Sequence, residues 1–228
     1  MNGTTPTGTA LTGARDVLRG GGAVVLPNPH PLTSVVAATS PDAVNTAKGR
    51  PADQAVALWI VDDHRWAEFA PHTALDDPAR ELACTLLVEE LVTLLVPVTA
   101  HPAWIAPATR GGKTLLFGAR WTPLTPVFDG IDVLHVSSAN RTGHPPVASA
   151  AQARETFADH VHVLDLDDGR PTEDRRATTT LELRPDRTLT HIRHGAQDHA
   201  HGGPDAYLAH LAKKYSLSCR KNPQSTPH

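Results

Sequence analysis

Ala55-Val56-Ala57-Leu58-Trp59-Ile60-Val61 is seven apolar residues in succession, with no polar alternation. A run of this length reads as a strand buried on both faces, and such a strand belongs in the middle of a sheet covered by helices on either side. Similar runs recur outward from it: Ala23-Val24-Val25-Leu26, ended by Pro27; residues 34–38; the second half of 91–98; residues 114–120; residues 133–137; and Val161-His162-Val163-Leu164. Between them lie helical patterns. Leu11, Ala14, Val17 and Leu18 share one face and stop at Gly20-Gly21-Gly22. Ser40-Pro41-Asp42 supplies a capping hydroxyl, a first-turn proline and an acid at the positive end of the dipole. Asp77-Pro78 repeats that start, and Ser149 or Ala150 opens a helix through Phe157. Residues 178–183 and 188–193 alternate about Pro185-Asp186, which predicts a hairpin. The expected fold class is α/β, a twisted open mixed sheet with flanking helices.

A chain of 228 residues with 40% hydrophobic and 20% charged side chains can bury a sizeable core, which excludes a disordered or fibrous protein. The expected division is a nucleotide-binding domain over 1–196 and a partly disordered extension over 197–228, with one short amphipathic stretch at 207–215. A formal charge of -3 excludes binding of polyanions by bulk electrostatics, so any anion site is local. No apolar run approaches the ~20 residues a membrane span needs, and Met1-Asn2-Gly3-Thr4-Thr5 lacks the pattern of a signal peptide; a cytoplasmic location with no membrane partner is expected. Cys84 and Cys219 are too few for a disulfide framework and are expected to stay reduced.

The central run follows Lys48-Gly49-Arg50-Pro51, two cations one residue apart in a segment bounded by glycine and proline. Arg50 can grip two phosphate oxygens while Lys48 supplies a mobile point charge. Three further polar positions stand at strand ends or in the turns after them: Arg120, the pair Ser138 and Asn140, and Arg193. Open α/β sheets bind ligands in that place. Several cations meeting in one crevice repel one another unless an anion occupies it, so a triphosphate or similar ligand is expected there.

Lys48-Gly49-Arg50-Pro51, Gly118-Ala119-Arg120, the run from Ser138 to Gly143, the threonines at 178–180 and the Ile-Arg-x-Gly of residues 192–195 occur in the order found in the YrdC-like family, which this chain resembles over residues 11–196. The resemblance implies a YrdC-like sheet with a cationic crevice, and the chemistry of threonylcarbamoyl-adenylate synthases: an amine or amino acid, bicarbonate and ATP combine with release of pyrophosphate. It implies that Lys48 and Arg50 act in catalysis and, with Arg120, Ser138, Asn140 and Arg193, hold nucleotide and carbonate. Magnesium would be carried on the phosphates rather than in a protein cage. Partners in tRNA modification are implied as well.

The sequence also departs from the family. Where members carry Pro-Thr-Asp-Thr-Val-Tyr-Gly-Leu, it has Pro27-Asn28-Pro29-His30-Pro31-Leu32-Thr33-Ser34, so the acid and the tyrosine are gone. That loop helps hold the amino acid in the family. Asn28, His30 and Leu32, with Thr180 on the later strand, are therefore the expected substrate contacts, and an altered acceptor is expected. A noncatalytic nucleotide- or RNA-binding protein would leave a similar record. Other chemistries have weaker support. His191, His194, His199 and His201 fall on a strand, its exit and an apparent tail, so no metal-ligating set is expected. Ser137 and Ser138 with His135 or His144 lack a nucleophile elbow, which argues against a hydrolase. Lys213-Lys214 and Arg220-Lys221 form a short basic segment that an RNA could touch.

Overall fold

The computed structural model describes residues 8–166 and 169–217. Among the described residues ten strands run β1 Val24–Leu26, β2 Val35–Ala38, β3 Ala57–Trp59, β4 Thr93–Pro97, β5 Thr109–Arg110, β6 Lys113–Phe117, β7 His135–Ser138, β8 His162–Val163, β9 Thr180–Leu183 and β10 Leu189–Arg193. Eight α-helices accompany them in the same residues: α1 Gly8–Arg19, α2 Pro41–Ala47, α3 Asp63–Phe69, α4 Asp77–Glu89, α5 Thr125–Phe128, α6 Ala150–Phe157, α7 Ala196–Ala200 and α8 Pro204–Tyr215. The strands form one mixed sheet in the order β10-β9-β4-β6-β3-β7-β2-β1-β8, with β5 paired to β6. The central position expected for residues 55–61 is observed: β3 runs parallel to β6 and antiparallel to β7. The hairpin is observed too, with β9 and β10 antiparallel about a turn in which Thr188 N–H donates to Asp186 Oδ1 at 3.0 Å.

Local chemistry explains the helix starts. Ser40 accepts from Ala43 N–H, Asp76 from Ala79 N–H and Ser149 from Gln152 N–H, each satisfying a first-turn donor. The cap of α4 is thus Asp76, one residue before the expected start at Asp77.

Strand periodicity divides the core between the two faces of the sheet. Leu58, Leu94, Val96, Leu116, Leu181 and Leu183 meet Leu82, Leu86 and Leu87 of α4 on one face, while Val35, Ala57, Trp59, Phe117 and Val136 share the other with Ala14 and Leu18 of α1 and Val127 of α5. Trp59 anchors the second cluster, its ring edge-on to Phe117 and Phe128 and its indole N–H donated to Ala119 O at 2.8 Å.

The segment set apart at 197 differs from its sequence reading up to residue 217. Most of it is the helices α7 and α8, and Tyr207, Leu208 and Leu211 are buried in the same cluster as α4. Three apolar residues on one face of α8 suffice because the sheet and α4 supply the rest of the core, burial worth about 1.5–3 kcal/mol for each large side chain. Lys214 is tied to Glu89 and Glu90 at 3.2 and 2.8 Å; Cys219 and the Arg220-Lys221 pair lie outside the described residues. No helix is long and apolar enough to cross a membrane among the described residues.

Candidate functional site

A small cavity with a hydroxyl rim lies on the α1/α5 face of the sheet. Its volume is about 100 Å³. The floor is apolar and comes from strands, with Val35, Ala57, Leu115, Phe117 and Val136 pointing the same way; the rim carries Thr33, Ser34, Thr93, Ser137, Ser138 and Thr178. Arg193 is the one charged side chain among its described lining residues. Thr33 and Ala177 also line an open outer cleft of about 660 Å³, where Arg175, Arg176, His194 and Asp198 stand. The two spaces therefore adjoin. A 100 Å³ cavity alone admits a carbonate or a small amino acid, whereas cavity plus cleft reaches the ~300–1,000 Å³ range of larger organic ligands.

Arg193 enters from the end of β10 through a β-bulge: His191 pairs with Leu181 and Arg193 with Thr180, leaving Ile192 extra and exposed. Its Nη2 donates to Thr178 O at 3.3 Å. Desolvation by the surrounding protein lowers its pKa, although the residue remains open to solvent along the cavity. Such a guanidinium offers strong, directed hydrogen bonds to a small oxyanion.

Lys48 is not the mobile charge expected from its sequence context. It is 4% exposed at the C-terminus of α2, and Nζ donates to Ser138 O, to Asn140 O at 2.9 Å and to Asn140 Oδ1 at 2.7 Å. All three ammonium hydrogens are committed to the turn after β7, which they hold in shape. Gly49 makes this possible: its φ of +63° reverses the chain at the helix end, a left-handed conformation costly for residues with a Cβ. Burial, and secondarily the charge of Arg50, push the Lys48 pKa down to about 7. The penalised form is the ammonium, so its cost is fully present below about pH 7 and is relieved as pH rises toward the ordinary value of 10.5. Unfolding in urea is therefore expected to need more denaturant at pH 9 than at pH 7. Lys48→Met should flatten that slope, and an unchanged slope would show that the ammonium is not destabilised in the fold.

Arg50 also points into the protein, with Nε bonded to Asn45 Oδ1 at 2.5 Å and Nη2 to Ala55 O at 3.2 Å. Neither cation lines the cavity. Each holds a residue that does, Lys48 through Ser138 and Arg50 through Ala55. Ser138 and Asn140 are joined by a 2.7 Å bond, and Asn140 Nδ2 reaches His144 O, so Asn140 is a turn brace and Ser138 the cavity residue. Arg120 is not brought in. It pairs with Asp63 Oδ1 at 2.7 Å and lines a separate cleft with Trp121 and Asp62, because the residues after β6 lead away from the cavity.

Asn28, His30 and Leu32 do not line the cavity either. Asn28 Nδ2 closes the loop onto Thr33 O at 2.8 Å, and Arg175 Nη1 holds the carbonyls of Asn28 and Leu32 at 3.1 and 2.8 Å. Leu32 is 1% exposed and belongs to the core. The loop thus delivers Thr33 and Ser34 instead. Thr180 is buried in β9, while Thr178, bonded to Thr93 Oγ1 at 2.5 Å, takes the cavity position. Sequence reasoning does not single out Thr33, Ser34, Thr93 or Arg176 as site residues; the signals near them are the loop 27–34, whose last two hydroxyls are the ones that reach the cavity, and the hydroxyl-rich run 178–180. His135 is buried with its pKa pushed down to about 4 by desolvation, and its Nδ1 has no hydrogen-bond partner among the described residues, so it does not activate the neighbouring serines.

A helix-backed mixed sheet with a hydroxyl-rimmed cavity on one face defines the class as an α/β protein with a candidate small-ligand site on its sheet. No family model matches the chain. A protein provisionally named threonylcarbamoyl-AMP synthase from Mycobacterium tuberculosis is 33% identical over 147 residues, 62% of each chain, and the threonylcarbamoyl-AMP synthase of Thiobacillus denitrificans is 35% identical over 97 residues, 38% of this chain and 48% of that one. The chain thus spans about 62% of the length of the mycobacterial relative. The fold is similar to that of P. abyssi Sua5 solved with L-threonine, with a TM-score of 0.65 and 20% identity over 92% of this chain and 58% of that one. It is also similar to E. coli YciO, with a TM-score of 0.60 and 13% identity over 83% of this chain and 91% of the other. Over part of its length the chain is thus similar to threonylcarbamoyl-AMP synthases, and it shares the fold of Sua5 and YciO.

Proposed function

We propose that the protein forms a carbamoyl-adenylate from ATP, bicarbonate and a small amino acid or amine. The observation that carries this reading is Arg193 standing among hydroxyls in a small cavity that opens onto a larger cleft. In the proposed reaction an N-carboxylated amine attacks the α-phosphorus of ATP; a carbamate oxygen–phosphorus bond forms, the bond to the β-phosphate oxygen breaks, and pyrophosphate leaves. Arg193 holds the carboxylate or carbonate oxygens, and the hydroxyls of Ser34 and Thr178 orient them, while Ser138, its hydrogen given to Asn140, shapes the wall. The outer cleft takes the nucleotide beside Arg176, and Lys48 and Arg50 position the walls. The inner cavity has no carboxylate among its described lining residues, so a magnesium ion would be held by the nucleotide phosphates and water. The changed loop leaves Thr33 and Ser34 where the acceptor would be read, which supports an acceptor other than threonine.

The test is pyrophosphate release with ATP, bicarbonate and a panel of small amino acids and amines, with threonine included. Turnover with one of them, and the adenylate seen by mass spectrometry, is expected. The second reading, nucleotide binding without turnover, is favoured by the commitment of all three Lys48 donors within the protein. ATP binding in calorimetry with no pyrophosphate from any acceptor would establish it and overturn the first.

A further inference from the structure

We propose that His191, His194 and Asp198 form a binding site for one divalent transition-metal ion of the zinc class at the inner wall of the outer cleft. One ligand atom from each lies within 4.8 Å of the others. His191 is 8% exposed, and its Nε2 is buried without a hydrogen-bond partner among the described residues, 3.5 Å from Asp198 Oδ1. His194 Nδ1 lies 2.8 Å from Asp198 Oδ2, and the two imidazoles are 4.9 Å apart. The sequence separates these residues among a strand, its exit and the segment beyond, and the bulge at Ile192 and the turn into α7 close them together.

The site has the features that a ligating set needs. Two imidazoles and one carboxylate suit zinc, cobalt or iron rather than calcium or magnesium, which prefer all-oxygen sets. Asp198 is 1% exposed, and its Oδ1 is fixed by Thr179 Oγ1 at 2.5 Å and Gly195 N–H at 2.7 Å, the kind of outer contact that orients a ligating carboxylate. His194 and Asp198 also line the outer cleft, so a fourth coordination position faces that open space, where an oxygen of a ligand would complete the shell. The simpler role for the same groups is a helix-capping carboxylate hydrogen-bonded to His194, with His191 3.5 Å away.

Titration of the untagged, chelator-treated full chain with Co2+ alone separates the two. One Co2+ per chain is expected, with visible d–d absorption of four- or five-coordinate intensity that Zn2+ displaces. His191→Asn and His194→Asn should each weaken binding tenfold or more. The double variant His201→Asn/His210→Asn removes a surface imidazole pair 4.5 Å apart and should leave binding unchanged. Absence of stoichiometric binding, or its loss only in the His201/His210 double variant, would leave Asp198 as a cap alone. No nucleotide enters the measurement, so its outcome is independent of the adenylate reading.

Discussion

Arg193→Ala is expected to lower pyrophosphate release by about 10²–10³-fold without loss of fold, the magnitude typical of removing one preorganised donor from developing charge. Arg193 is the charge in the inner cavity, and its side chain ends in open space, with one bond at 3.3 Å to Thr178 O. Removing it leaves no cation among the described residues lining that cavity to meet a carboxylate or carbonate oxygen. Arg193→Lys should recover only part of the rate, since an ammonium cannot present two parallel donors. Steady-state assays of both variants, with thermal melts to certify the fold, check this. Full activity in a folded Arg193→Ala protein would place the reaction elsewhere.

Gly195→Ala should produce the largest loss of stability, about 3 kcal/mol or more, because the clash is with backbone. A Cβ there would sit 2.1 Å from Thr179 N, 2.3 Å from Thr178 C and 2.5 Å from Ala177 O. The φ of -160° is ordinary, so the constraint is close approach rather than left-handed backbone. Relief would push β10 from the threonines before β9 and break the Gly195 N–H to Asp198 bond that starts α7. Gly143→Ala is the matched control: its φ is +84° but nothing lies near the added methyl, so only the unfavourable backbone should count, at about 1–2 kcal/mol. Urea midpoints for the two variants should differ accordingly, and equal midpoints would refute the packing account.

Much of the architecture is written in short stretches. The apolar run about Leu58 marks a central strand because only a position covered on both faces tolerates it, and Ser40-Pro41 and Ser149 mark helix starts because their hydroxyls satisfy donors three residues on. The α7–α8 segment is less legible. Its polar composition hides the fact that Tyr207, Leu208 and Leu211 need only one face, the rest of their surroundings coming from α4 and the sheet.

Composition, element type and the ordered motifs that resemble the YrdC-like family are legible in the chain alone, since propensity, capping and periodicity act over a few residues. The use made of each motif was decided in three dimensions. Lys48 has the residue type for phosphate but gives its hydrogens to oxygens at positions 138 and 140, some ninety residues away, and Arg120 is claimed by Asp63. The bulge at Ile192 sends His191 toward Asp198 and Arg193 into the cavity. Hydrogen-bond partners and strand register depend on which distant groups arrive at a given donor, and no local pattern records that competition.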